Sequence, residues 1–132
     1  MQNKHAVAFL LGLFLLAGCH SNPYRQGEDL FEAQCAGCHS SDGSGLANLI
    51  PPLDTSVLKL NDPIQLVCLI RNGLPFDSLT RQQMPANQAL SDVEMTNLVN
   101  YLGVHYIANP QLVRVEEVTR MYTECQTRKP VK

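Results

Sequence analysis

Cys35-Ala36-Gly37-Cys38-His39 is the stretch on which the reading of this 132-residue chain turns. It places two thiols two residues apart and an imidazole directly after the second. A structural zinc site would need a second pair of Cys or His at metal spacing, and none is present. A redox-active C-x-x-C belongs at the start of a helix in an α/β chain, and the surrounding sequence has no such alternation. A plain disulfide between Cys35 and Cys38 leaves His39 unexplained.

The spacing does suit covalent attachment of a haem. Two sulfurs add across the vinyl groups on one edge of the porphyrin, and the following imidazole then lies under the iron as proximal ligand. Ala36 and Gly37 are small enough to let the short loop run close to the macrocycle. Cys35, Cys38 and His39 are therefore the expected holders of one covalent haem c.

The rest of the composition is unremarkable. Hydrophobic residues make up 45% of the chain, the net charge is −2, and no long single-sign run occurs. Nothing basic enough to bind nucleic acid is visible, and strong electrostatic steering towards a partner is not expected.

The N-terminus carries an apolar run, residues 6–18, preceded by Lys4 and followed by Cys19. It falls short of the roughly 20 apolar residues that a helix needs to cross a bilayer. Its size suits the apolar core of a secretory signal. Leu16-Ala17-Gly18-Cys19 resembles the lipobox of bacterial lipoproteins, in which the cysteine is acylated and becomes the new N-terminus. An ordinary signal cut elsewhere and a buried core helix are the alternatives. The lipoprotein reading makes 1–18 a signal peptide and 19–26 a tether. Acyl chains on Cys19 would then hold the protein at a membrane without a spanning helix. His20 stands where many inner-membrane lipoproteins have aspartate, which by analogy favours the outer membrane.

From Tyr24 to about Tyr106 the chain resembles the class I c-type cytochromes, with their elements in order. Residues 27–31 match that family's N-terminal helix, and Ser41-Asp42-Gly43-Ser44-Gly45 its glycine-containing loop. Pro51-Pro52-Leu53 falls where a proline carbonyl holds the haem histidine, and Gln83-Met84-Pro85-Ala86 resembles the loop of the distal ligand. Residues 91–102 resemble the final helix, including its Tyr101. The resemblance implies a haem domain over 27–107, with 108–132 as an extension. It also implies that Gly27 permits a close helix crossing and that Phe31 packs near Tyr101. Pro51, or alternatively Pro52, would accept a hydrogen bond from the second ring nitrogen of His39. A simple stiffened turn is the other reading of this pair.

Met84 is the expected distal ligand. A thioether opposite histidine raises the haem potential relative to more basic ligands. A loop methionine before proline makes poor core filler, although methionine often fills gaps. Met95 and His105 lie in a helical pattern with Leu98 and Leu102 and read as packing residues, and Met121 lies in the tail.

The scaffold reads as all-α, a small cytochrome c-like domain wrapped around one haem, with an added C-terminal helix. A first helix is predicted from about Arg25 to Ala36. A second opens at Asp62-Pro63, with Asp62 as N-cap, and stops at Gly73. A third opens at the Ser91/Glu94 capping box and ends before Asn109-Pro110. In the tail, Val115, Val118, Met121 and Tyr122 are spaced for a fourth amphipathic helix between Val113 and Cys125, which reads as packing on the domain. No strand pattern of useful length appears. Once Cys19, Cys35 and Cys38 are assigned, Cys68 and Cys125 remain. In an oxidising envelope they are expected to pair, the alternative being a buried free thiol at Cys68.

The function expected from these features is that of a monomeric, lipid-anchored electron carrier at the periplasmic face of a membrane. Its redox partners would be a dehydrogenase, a reductase or a terminal oxidase. The competing readings are a haem peroxidase or small-molecule reductase, a gas sensor with a displaceable Met84, and a subunit of a larger oxidoreductase. The anchor is directly testable. Cys19→Ser should move the protein from the membrane fraction to the soluble fraction after cell disruption; retention in membranes would overturn the lipid anchor.

Overall fold

In the computed structural model the described residues are 22–47, 49–53, 62–78, 83–107 and 110–127. Residues 1–21, which include Cys19 and the lipobox, and residues 48, 54–61, 79–82, 108–109 and 128–132 lie outside them.

Helix α1, Arg25–Gln34, buries Gly27 and Phe31, which sit four apart and so share one face. Asn22 starts the chain into it, its side-chain oxygen accepting from the Tyr24 N–H at 2.9 Å. The exposed Arg25–Asp29 pair, 3.0 Å apart, adds little in water. The helix was expected to run on to about Ala36, but its last residue is Gln34. Cys35 has φ −119° and ψ −38°, and its carbonyl accepts from the N–H groups of both Cys38 and His39. Cys35 thus ends α1 and begins the single turn α2, Ala36–His39.

Helix α3, Pro63–Asn72, starts as its sequence predicts. The Asp62 carboxylate accepts from the Ile64 N–H at 3.2 Å, and Pro63 occupies a first-turn position where no N–H is needed. It stops at Gly73, whose φ of +71° suits glycine. Helix α4, Asp92–Tyr106, opens on the Ser91/Glu94 capping box, and the Ser91 N–H donates to Glu94 Oε2 at 2.9 Å. Helix α5, Val115–Cys125, carries the tail, with Val118 and Cys125 buried. Among the described residues the fold is all-α. Two isolated β-bridges, Leu46–Ile50 and Leu74–Met84, are the extended pairings among the described residues.

The largest helix interface is between α1 and α4. A Cβ placed on Gly27 would lie 2.2 Å from the Asn97 carbonyl oxygen and 2.5 Å from Tyr101 Cβ, so the two backbones meet at a point that only glycine fits. One turn along, Phe31 is buried with its ring centroid 5.7 Å from that of Tyr101. Met95 and Leu98, also on α4, are fully buried in the same core. His105, expected among the packing residues, is exposed instead. It stands one turn beyond Tyr101, with its ring 4.4 Å from the Tyr101 ring.

Helix α5 packs on α3 and α4. Cys68 and Cys125 are bonded, with Sγ atoms 1.97 Å apart, and close a loop of 57 residues. The chain-entropy model assigns such a cross-link about 4 kcal/mol. The connection into α5 is pinned by Asn100, whose side chain both donates to and accepts from the Val113 backbone. At the start of α4, the Thr119 hydroxyl of α5 donates to the Asp92 carboxylate.

The crossing predicts an unusual sign for a helix substitution. Gly27→Ala should normally stabilise a helix interior by about 1 kcal/mol. Here it should destabilise by about 1–3 kcal/mol, because the new methyl meets backbone rather than a movable side chain. Denaturant unfolding monitored by circular dichroism would measure this, and a gain in stability would contradict the crossing.

Candidate haem-binding site

The attachment turn, the Pro51 loop, α3 and the Met84 loop enclose one cavity of about 270 Å³. Phe31, Leu53, Leu66 and Ile70 supply much of its wall, so the lining is mainly apolar. Cys35, Cys38, His39, Pro51 and Met84 all border it. Residues separated by most of the chain thus converge on one space. Met95, Met121 and His105, the rivals for the distal position, are not among its lining residues. Met95 is fully buried in the core, and Met121 packs against that core from α5.

The electrostatics of the attachment turn separate the possible chemistries. Burial pushes the Cys35 thiol up to about 11, and the neighbouring Cys38 adds to the shift. A thiol-exchange centre needs the opposite, a thiolate stabilised near neutral pH. Both Cys35 and Cys38 are free, so no disulfide joins them. Burial holds the His39 imidazole below its ordinary value, which keeps it neutral and available as a donor to a metal. Its Nδ1 is buried and has no hydrogen-bond partner. No group of three or more His, Cys, Asp or Glu capable of holding a bare metal ion occurs among the described residues.

Two thiols, one neutral imidazole and a thioether around an apolar cavity fit a haem. The sulfurs can bond its edge, and the imidazole and thioether can bind its iron. Gly37 has open space around it, so no neighbouring protein atom requires glycine there.

Pro51 differs from its expected role. It borders the cavity with His39, but the hydrogen bond from the His39 ring to its carbonyl is not formed. The Pro51 carbonyl lies instead beside Gly45, where an added Cβ would be 2.9 Å from its oxygen. The loop is held there by backbone bonds: the Leu46 N–H donates to the Ile50 carbonyl, and the Leu53 N–H to the Gly43 carbonyl.

The Met84 loop is fixed from below by α3. Leu74 and Met84 exchange N–H donors at 2.8 and 3.2 Å. A Cβ on Gly73 would lie 2.4 Å from the Met84 carbonyl oxygen, so the loop rests directly on the end of the helix. Sequence reading missed Asn87, which organises the other side of this loop. Its N–H donates to the Ile70 carbonyl and its side-chain amide to Gln34 Oε1, while its side-chain oxygen accepts from the Ala89 N–H. The last of these is a local Asx turn, the only part of the arrangement with a sequence signal. The bonds to Ile70 and Gln34 are tertiary.

The family model described as Cytochrome C oxidase, cbb3-type, subunit III matches residues 22–102. The chain belongs to this family of c-type cytochromes. The family's cofactor is covalently bound haem c and its work is electron transfer. Two curated proteins are also similar, the cytochrome c subunits of quinone alcohol dehydrogenases from Gluconacetobacter polyoxogenes and Komagataeibacter europaeus. Each is 35% identical over 86 residues, covering 63% of this chain. The chain spans only 16% of the length of either relative. The family match ends within α4, so α5 lies beyond it.

Gly73 offers a test of the loop geometry. Gly73→Ala must force a side chain into a positive-φ position against the Met84 backbone, at a cost of about 1–3 kcal/mol. Amide hydrogen exchange at Leu74 and Met84 should speed up while that in α4 stays slow. Unchanged exchange at those two amides would refute the described packing.

Proposed function

We propose that this c-type cytochrome is a lipid-anchored one-electron carrier that docks with larger redox proteins in the bacterial envelope. The observation that carries the proposal is the convergence of Cys35, Cys38, His39 and Met84 on one mainly apolar cavity. In this reading Cys35 and Cys38 form the thioether bonds, His39 is the proximal ligand and Met84 the distal one. Bound there, the haem supplies a one-electron couple between ferrous and ferric iron.

The chain's residues perform the remaining tasks. A neutral His39 donates without a prior proton loss. Phe31, Leu66 and Ile70 keep water from the interior face of the cavity, which disfavours the more highly charged ferric state and raises the potential. The Leu74 and Asn87 bonds hold Met84 near the cavity, where it would fill the position on a bound iron that a substrate would need. The chemistry asked of the protein is therefore transfer of an electron, not transformation of a bound molecule.

The partner proposed on the donating side is a dehydrogenase, since two similar proteins are named as cytochrome c subunits of quinone alcohol dehydrogenases. A terminal oxidase on the accepting side is suggested by the family's own description. The membrane contact rests on the lipobox-like Leu16-Ala17-Gly18-Cys19. Among the described residues no helix is long and apolar enough to cross a membrane.

Two measurements test the ligand set. The red chromophore should stay with the protein on extraction into acidified organic solvent; its complete loss to the solvent would refute thioether attachment. Met84→Ala should lower the reduction potential by roughly 100 mV or more, given how widely axial ligands set haem potentials. It should also admit carbon monoxide to the reduced protein. Wild-type potential and spectrum in that variant would assign the distal position to another residue.

A further inference from the structure

Helix α3 is gripped on two sides. Its residues Leu66, Leu69 and Ile70 border the haem cavity, spaced three and four apart along one face. Cys68, Arg71 and Asn72 have the same spacing but are displaced by two positions, which places them on the opposite face. All three engage α5. Cys68 is disulfide-bonded to Cys125, and the Arg71 guanidinium lies 3.8 Å from the Tyr122 ring centroid. The Asn72 side-chain amide donates to the Cys125 carbonyl at 3.1 Å. The cavity end of the same helix carries the distal loop through the Ile70–Asn87 and Leu74–Met84 bonds and the Gly73 contact.

We infer that α5, through the Cys68–Cys125 bridge and the Arg71–Tyr122 stack, is a brace that positions the Met84 loop and thereby sets how firmly the distal sulfur is held. This rests on Met84 being the distal ligand. None of Cys68, Arg71, Tyr122 and Cys125 borders the haem cavity, so these are positioning residues. Its α5 half, with Tyr122 and Cys125, lies beyond the residues that the family model matches, and its α3 half, with Cys68 and Arg71, lies within them. Each contact grips the C-terminal half of α3, the half from which the loop hangs, and none of the three grips its first turn.

The test uses the full-length ferric holoprotein and exogenous imidazole, whose binding requires Met84 to leave the iron. The double variant Cys68→Ala/Cys125→Ala should bind imidazole about tenfold faster or more, as expected when a local opening becomes easier. Its far-red methionine–ferric band should weaken at temperatures where circular dichroism still shows a folded protein. A fall in thermal midpoint with unchanged imidazole kinetics and an unchanged band would overturn the brace and leave the bridge a general staple. Should the double variant fail to fold, Tyr122→Leu with the bridge intact decides: faster imidazole binding supports the brace, and the wild-type rate overturns it. Met84→Ala separates the two hypotheses. If that variant keeps the wild-type spectrum, the ligand assignment fails. If it opens the iron while the bridge variants do not, only the brace fails.

Discussion

The close crossing of α1 and α4 at Gly27 is the constraint from which the rest of the architecture follows. Two helical backbones approach there until the Asn97 carbonyl and Tyr101 Cβ occupy the space that any side chain would need. That approach buries Phe31 between Tyr101 and the cavity, a burial worth about 2–3 kcal/mol for an aromatic side chain. It also anchors the helix that leads into Cys35 and the attachment segment. Each backbone hydrogen bond around Cys35 is local, but its position relative to the cavity is inherited from the crossing.

Helix α3 is the second organising element, and its composition reflects two neighbours at once. It buries Ile64, Leu66, Val67, Cys68, Leu69 and Ile70. A helix apolar over most of its circumference must be covered on more than one side. In this protein the cavity covers one face and α5 another. The tail is therefore part of the domain's packing, joined by a cross-link, a cation over an aromatic ring and a side-chain amide to a carbonyl.

The cavity's character comes from the same apolar walls. Removing water from Cys35 and His39 raises one and lowers the other, in each case favouring the uncharged form. Neutral sulfur and nitrogen donors facing low-polarity walls suit a large, flat, mostly apolar cofactor. They do not suit a hydrated ion or a thiolate-driven exchange reaction.

Much of this was legible in the chain itself. The attachment motif, the Asp62-Pro63 start and Gly73 stop of α3, the Ser91/Glu94 capping box and the amphipathic tail are all written in residues within a few positions of one another. Local hydrogen bonds and conformational preferences suffice to specify them. The break at Cys35 was less visible, because a single non-helical residue between two helical segments leaves no compositional mark. Asn87 was missed since only its Asx turn is local. The exposure of His105 depends on which face of α4 its neighbours cover, and the carbonyl of Pro51 beside Gly45 on how that loop closes on itself; periodicity encodes neither.

The chain by itself determined which residues could bond a porphyrin and where its helices begin and stop, because those depend on chemistry and capping between near neighbours. Only the tertiary structure decided that the attachment turn and Met84 border one cavity, and that α5 holds α3 from the far side. Those facts rest on apolar surfaces far apart in sequence excluding water together, and such a many-body match is not contained in any single segment.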